Sequence, residues 1–157
     1  MGFTDILLHL VFSFVATAGF CILFNIPKRH ILFCGLLGVI SWLVYILLKN
    51  PVGEVLATFF ATCTIVLLSR IFAVVRKCPV NVLLIPGMIP LAPGSAIYYT
   101  AYYFVTNDMT KAAEYSFLTV KIAFAIVLGV IVVIAAPTHL LKKLQKKNEQ
   151  KENSKNT

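Results

Sequence analysis

Arg70, Ser95, Tyr98 and Lys121 are polar side chains set deep within the long apolar runs of this chain. An ionisable group in hydrocarbon is a candidate for binding or proton transfer, because burying an unpaired charge is expensive. Arg70 and Lys121 have an alternative, since each side chain is long enough to reach the nearer membrane surface. Glu54 and Asp5 stand at helix starts, where a carboxylate is favoured by the helix dipole. His9 lies in the first apolar run, where proton relay is open to it, while His30 and His139 flank basic clusters. Cys21, Cys34, Cys63 and Cys78 lack CxxC or Cys/His ligand spacing and read as small buried hydrophobes, so no metal or cofactor is expected. There is no Ser/His/Asp, His-Glu-x-x-His or phosphate-loop pattern, and the chain does not read as an enzyme.

The strongest local signal is Ile85-Pro86-Gly87-Met88-Ile89-Pro90-Leu91-Ala92-Pro93-Gly94-Ser95, a proline- and glycine-rich stretch inside an apolar run from Pro79 to Val105. Proline removes a backbone donor and clashes with the preceding turn, and glycine loses the most entropy on ordering. With apolar residues on both sides, the stretch reads as a membrane helix broken near its midpoint. A half-helix starting at Gly94-Ser95 would aim its N-terminal donors, and the positive end of its dipole, into the membrane. Such an end suits a carboxylate, as in transporters with broken helices; the alternative is a proline kink that binds nothing. Tyr98 lies one turn past the break and reads as lining a pathway, whereas Tyr102 and Tyr103 fit an interfacial aromatic belt.

The elements that must position these groups follow from composition. Of the 157 residues, 59% are hydrophobic and only 13% charged, where soluble domains carry about 45–50% and about 25%. A core this small cannot hide that excess, so a bilayer is the solvent. The sequence predicts an all-α integral membrane protein of five spans at residues 6–24, 31–48, 55–75, 80–105 and 117–136, the fourth broken at the Pro/Gly motif. Residues 1–139 form the membrane domain, with the N-terminal run retained, and residues 140–157 a disordered basic tail. Five spans place Lys28, Arg29, Arg76, Lys77, Lys142, Lys143, Lys146 and Lys147 on one side, against Lys49 and Lys111 on the other. The positive-inside rule then sets the N-terminus outside and the C-terminus in the cytoplasm of a multi-pass protein of the cell membrane. The net charge of +8 reads as orientation and contact with anionic lipid, not as nucleic-acid binding. Small-residue pairs Ala57/Ala61, Thr58/Thr62 and Ala125/Gly129 fit close helix contacts.

Ile89-Pro90-Leu91-Ala92-Pro93-Gly94-Ser95, followed by Tyr98 and Tyr99-Thr100-Ala101, resembles the small-subunit signature of the threonine/serine exporter family. Gly19-Phe20, Phe24-Asn25-Ile26-Pro27 with Arg29, and Cys34-Gly35-Leu36-Leu37-Gly38 resemble the opening pattern of the same family. The likeness covers nearly all of the chain except the lysine tail. It implies one half of a split secondary exporter whose larger transmembrane partner brings five further spans. Its cargo would be threonine and serine, or succinate as in a related two-subunit system, and the proton motive force would drive it. The motif carries over to Asn25, Pro27, Arg29, Pro90, Pro93, Gly94 and Tyr98. The expected roles are carboxylate binding at Gly94-Ser95 beside Pro90 and Pro93, a path lined by Tyr98, and charge complementarity from Arg70 or Lys121. A cytoplasmic vestibule would form at Asn25, Pro27 and Arg29. The rival reading is a non-transporting subunit that stabilises or regulates a larger membrane partner.

Overall fold

The computed structural model describes residues 3–135; the basic tail, Pro137 and His139 lie outside the described residues. Within them the chain is helical, with no strand. The order is α1 (Phe3–Leu23), α2 (Lys28–Val52), α3 (Glu54–Arg76), α4 (Val80–Met88), a 3-10 turn (Ile89–Leu91), α5 (Gly94–Val105) and α6 (Met109–Ala135). α1, α2, α3 and α6 are each long and apolar enough to cross a bilayer, and the bent pair α4–α5 makes a fifth if it counts as one span.

Local chemistry sets the boundaries. α1 closes on Asn25 in the left-handed region (φ 53°), with the Ile26 N–H bonded to the Cys21 carbonyl at 2.9 Å; Asn tolerates that conformation better than most residues. Pro27 follows as the N-cap of α2, since it cannot continue α1. Two expected ends move. α2 was expected to stop at Lys49-Asn50-Pro51 but runs through Pro51 to Val52 and closes at Gly53 (φ 85°), whose N–H reaches the Lys49 carbonyl at 3.1 Å. Only one residue follows Pro51 in that helix, so its ring disturbs little. α6 begins at Met109, well before residue 117, because Asp108 caps it: Oδ1 accepts the Lys111 N–H at 3.2 Å.

Helix packing is set by small residues. A Cβ on Gly38 would strike the Thr17 hydroxyl, and one on Gly35 the Phe14 ring, so α1 and α2 lie almost backbone to backbone. A Cβ on Gly129 would sit 3.0 Å from Thr62 Cβ, and one on Gly87 2.8 Å from Ile65 Cδ1. Ala57, Thr58, Ala61 and Thr62 on α3 and Ala125 and Gly129 on α6 are all buried, in the role their spacing predicts. α4 is enclosed by α2 and α3, with α1 beside it, whereas the backbone of α5 packs on α6 alone among the described elements.

Candidate functional site

The break predicted in the fourth run is present, and its backbone is accounted for group by group. Pro90 and Pro93 carry no N–H, so the α-helical ladder fails there. The Ala92 N–H turns back to the Ile89 carbonyl at 3.1 Å, and the Gly94 N–H to the Ala92 carbonyl at 2.7 Å. Pro93 (φ −76°, ψ 50°) is thus the centre of an inverse γ-turn. The Ser41 hydroxyl of α2 lies 2.9 Å from the Gly38 carbonyl and 3.3 Å from that of Gly87, and its proton serves both. α5 then starts with no side-chain cap, leaving the first-turn N–H groups of Ser95 and Ala96 without intrahelical acceptors.

The two halves meet at 47°. At 1.5 Å per residue each twelve-residue leg is about 18 Å long, so the bent pair rises about 30 Å, the thickness of a hydrocarbon core. The same bend carries the far end of α5 about 13 Å sideways from the axis of α4. α5 therefore leaves the bundle at the break, its backbone held by α6 alone among the described elements.

A cavity of about 50 Å³ lies at this point. Its walls come from Pro90 to Pro93 and Ser95 at the break, Trp42 and Tyr45 on α2, Glu54 and Thr58 on α3, and Ile122 on α6. The Tyr45 hydroxyl donates to Glu54 Oε1 at 2.9 Å, and Lys49 Nζ stands 3.8 Å from the same oxygen. Trp42 stacks on Tyr45 at 4.9 Å, and beyond Trp42 lies the His9 ring at 6.2 Å. Pro90 and Trp42 also border a second hollow that holds His9 and Ser13.

The residues expected at the site divide. Pro90, Pro93 and Ser95 line the cavity. Gly94 lies beside it with open space where a Cβ would stand. Tyr98 does not line the cavity: it is 61% exposed and belongs to a cluster of rings in which Tyr98 stacks on Tyr102, Tyr99 on Tyr103 and Tyr103 on Tyr115, with Tyr98 meeting Tyr99 edge-on. Lys121 neighbours Ile122 but is exposed, about 100° around α6 from it. Arg70 is about 18 Å along α3 from Thr58, and its Nη1 donates to the Val133 carbonyl of α6 at 2.6 Å. Arg70 thus has a structural partner on α6. Asn25 and Pro27 build the α1–α2 turn, and Arg29 Nε donates to His30 Nε2 at 2.9 Å. Asn25 faces a hollow of about 560 Å³ with Lys28, at the end of α1 and α2 far from the break. Sequence reasoning gave Glu54 a dipole role only and passed over Tyr45 and Trp42. The available signal was Tyr45 and Lys49 one turn apart on α2, followed by an acid at the start of α3.

The profile of the threonine/serine exporter ThrE family matches residues 9–136, from His9 through α6. The chain belongs to the threonine/serine exporter family. With its apolar helices, that makes it a multi-pass membrane protein. It is 28% identical over 94 residues to an uncharacterised protein of Haemophilus influenzae, a match that covers 59% of this chain and 32% of that relative. No solved structure matches the chain.

Proposed function

We propose that this chain is the small membrane subunit of a two-component secondary exporter for small carboxylate-bearing metabolites, threonine and serine or else succinate. The observation that carries the reading is the cavity at the break of α4–α5, where α2, α3 and the start of α5 bring polar groups together. The substrate carboxylate meets the Ser95 and Ala96 N–H groups and the Ser95 hydroxyl at the start of α5, where the helix dipole favours an anion. Because α5 rests on α6 alone, it is the element that swings to admit cargo. The proton motive force drives the cycle, with the N-terminus outside and the C-terminus in the cytoplasm of the cell membrane, as the distribution of basic residues favours. A larger membrane partner supplies the rest of the path. In support, the chain spans only 32% of the relative it matches, so that relative carries a longer chain in one piece.

The exposure of Tyr98 and of the outer face of α5 favours a second reading, in which the arm is only an interface and the subunit is accessory. Co-production separates the two. Cells lacking both subunits are supplied with the partner alone or with the pair, and efflux of threonine, serine and succinate is measured. The transporting reading expects export only from the pair. Full export from the partner alone would leave this chain accessory.

A further inference from the structure

The cavity at the break holds a carboxylate that the exporter reading leaves without a task. Glu54 is the only acid in its wall. Its Oε1 takes the Tyr45 hydroxyl at 2.9 Å and faces Lys49 Nζ at 3.8 Å, while Oε2 accepts no hydrogen bond among the described residues. The same cavity is lined by Trp42 from α2, Thr58 from α3, Ser95 from the break and the apolar Ile122 from α6. On the α1 side the nearest titratable ring is His9, screened by Trp42.

Lys49 shows what this carboxylate receives. Its side chain is 47% exposed, lies over the Tyr45 ring at 5.5 Å and brings a primary ammonium to the rim of the cavity. An amino acid carries the same group. A volume of about 50 Å³ admits a water or two, or an ammonium head. It does not admit a whole amino acid, whose body would occupy space that α5 vacates.

We propose that Glu54 is the exchange residue of the exporter: its carboxylate holds in turn the α-ammonium of an amino-acid substrate and the coupling proton, with Lys49 as its partner when neither is bound. This rests on the exporter reading and narrows its substrate class. Protonated Glu54 has no charge to offer an ammonium, and a bound ammonium lowers the carboxylate's affinity for a proton. Cargo and proton thus exclude one another at a single group, which is what exchange in opposite directions requires. Succinate has no ammonium and would set two more negative charges beside Glu54, so a dicarboxylate is disfavoured.

The test uses the full chain purified with its larger partner, with threonine and succinate as probes. Threonine affinity is expected to fall at least about tenfold from neutral to acidic solution, with about one proton released per threonine bound at the acidic end. Glu54→Gln is expected to remove the pH dependence and weaken threonine binding at least about tenfold, whereas Glu54→Asp keeps the pH dependence. Threonine binding by the wild-type pair that ignores pH and releases no proton would overturn the proposal, whether or not a variant folds. Preference for succinate over threonine would overturn it too. A pair that exports neither threonine, serine nor succinate would instead defeat the exporter reading on which this inference rests.

Discussion

Arg70 Nη1 donates to the Val133 carbonyl and holds α6 against α3. Replacing Arg70 with Met is expected to cost about 1.5–3 kcal/mol, the range for a hydrogen bond to a charged group, and to leave the threonine-to-serine ratio of export unchanged. Thermal unfolding of the purified pair and a two-substrate efflux assay check the two halves of that statement. A cation deep in an apolar run draws attention in the sequence, and an acid at a helix start looks like a cap, yet it is Glu54 that lines the cavity at the break with Tyr45 bonded to it. Charge and depth can be read from a sequence; which neighbouring helix supplies the partner cannot. Glycines divide in the same way. Gly38→Ala would set a Cβ against Thr17 and cost about 1–3 kcal/mol. Gly94→Ala meets nothing and is expected to unfold no earlier than the wild type.

The broken span was readable because proline acts on its own helix: a missing N–H and a clash need no tertiary information. Both halves of the fourth run end where the sequence placed them, at Val80 and Val105. The direction α5 takes was not readable, since the 47° bend depends on which helices flank it. In the exporter reading α5 is the movable element, and thiol cross-linking tests it. Ser95→Cys with Thr58→Cys places thiols on α5 and α3 at the walls of the cavity that both residues line, for a cleavable bifunctional thiol reagent to bridge. Cross-linking is expected to lower export at least about tenfold and cleavage of the bridge to restore it. Undiminished export with the bridge formed would show that α5 need not move. The far end of the arm has its own dependence on pH. The Lys111 N–H, and behind it the Lys111 ammonium, holds the Asp108 carboxyl below its usual value. A lowered folded-state pKa contributes stability above the unfolded value that is lost as pH falls through the folded one. Acidification is therefore expected to fray the first turn of α6, read as a lower protection factor of the Lys111 amide relative to its intrinsic exchange rate, and Asp108→Asn to blunt that response.

As a whole, the molecule is a compact set of α1 to α4 with an arm of α5 and half of α6 extending from it. Exposed apolar side chains run along α1, α5 and α6, among them Phe12, Phe104 and Phe124, as a bilayer and a partner chain would require. The arrangement across the membrane rests on the basic residues and has its own check. A cysteine at Asn107 in the α5–α6 turn is expected to react with an impermeant thiol reagent from outside intact cells, and one at Lys28 only from the cytoplasmic side; the reverse pattern would invert the topology. At this scale the account stands on one claim, that the break is where cargo is held. Efflux of threonine and serine through the pair carrying Gly94→Leu tests it most directly, because a Cβ at this start of α5 meets nothing within 4 Å. With normal insertion and assembly, the account predicts a loss of export of at least about tenfold. Export at the wild-type rate would contradict it.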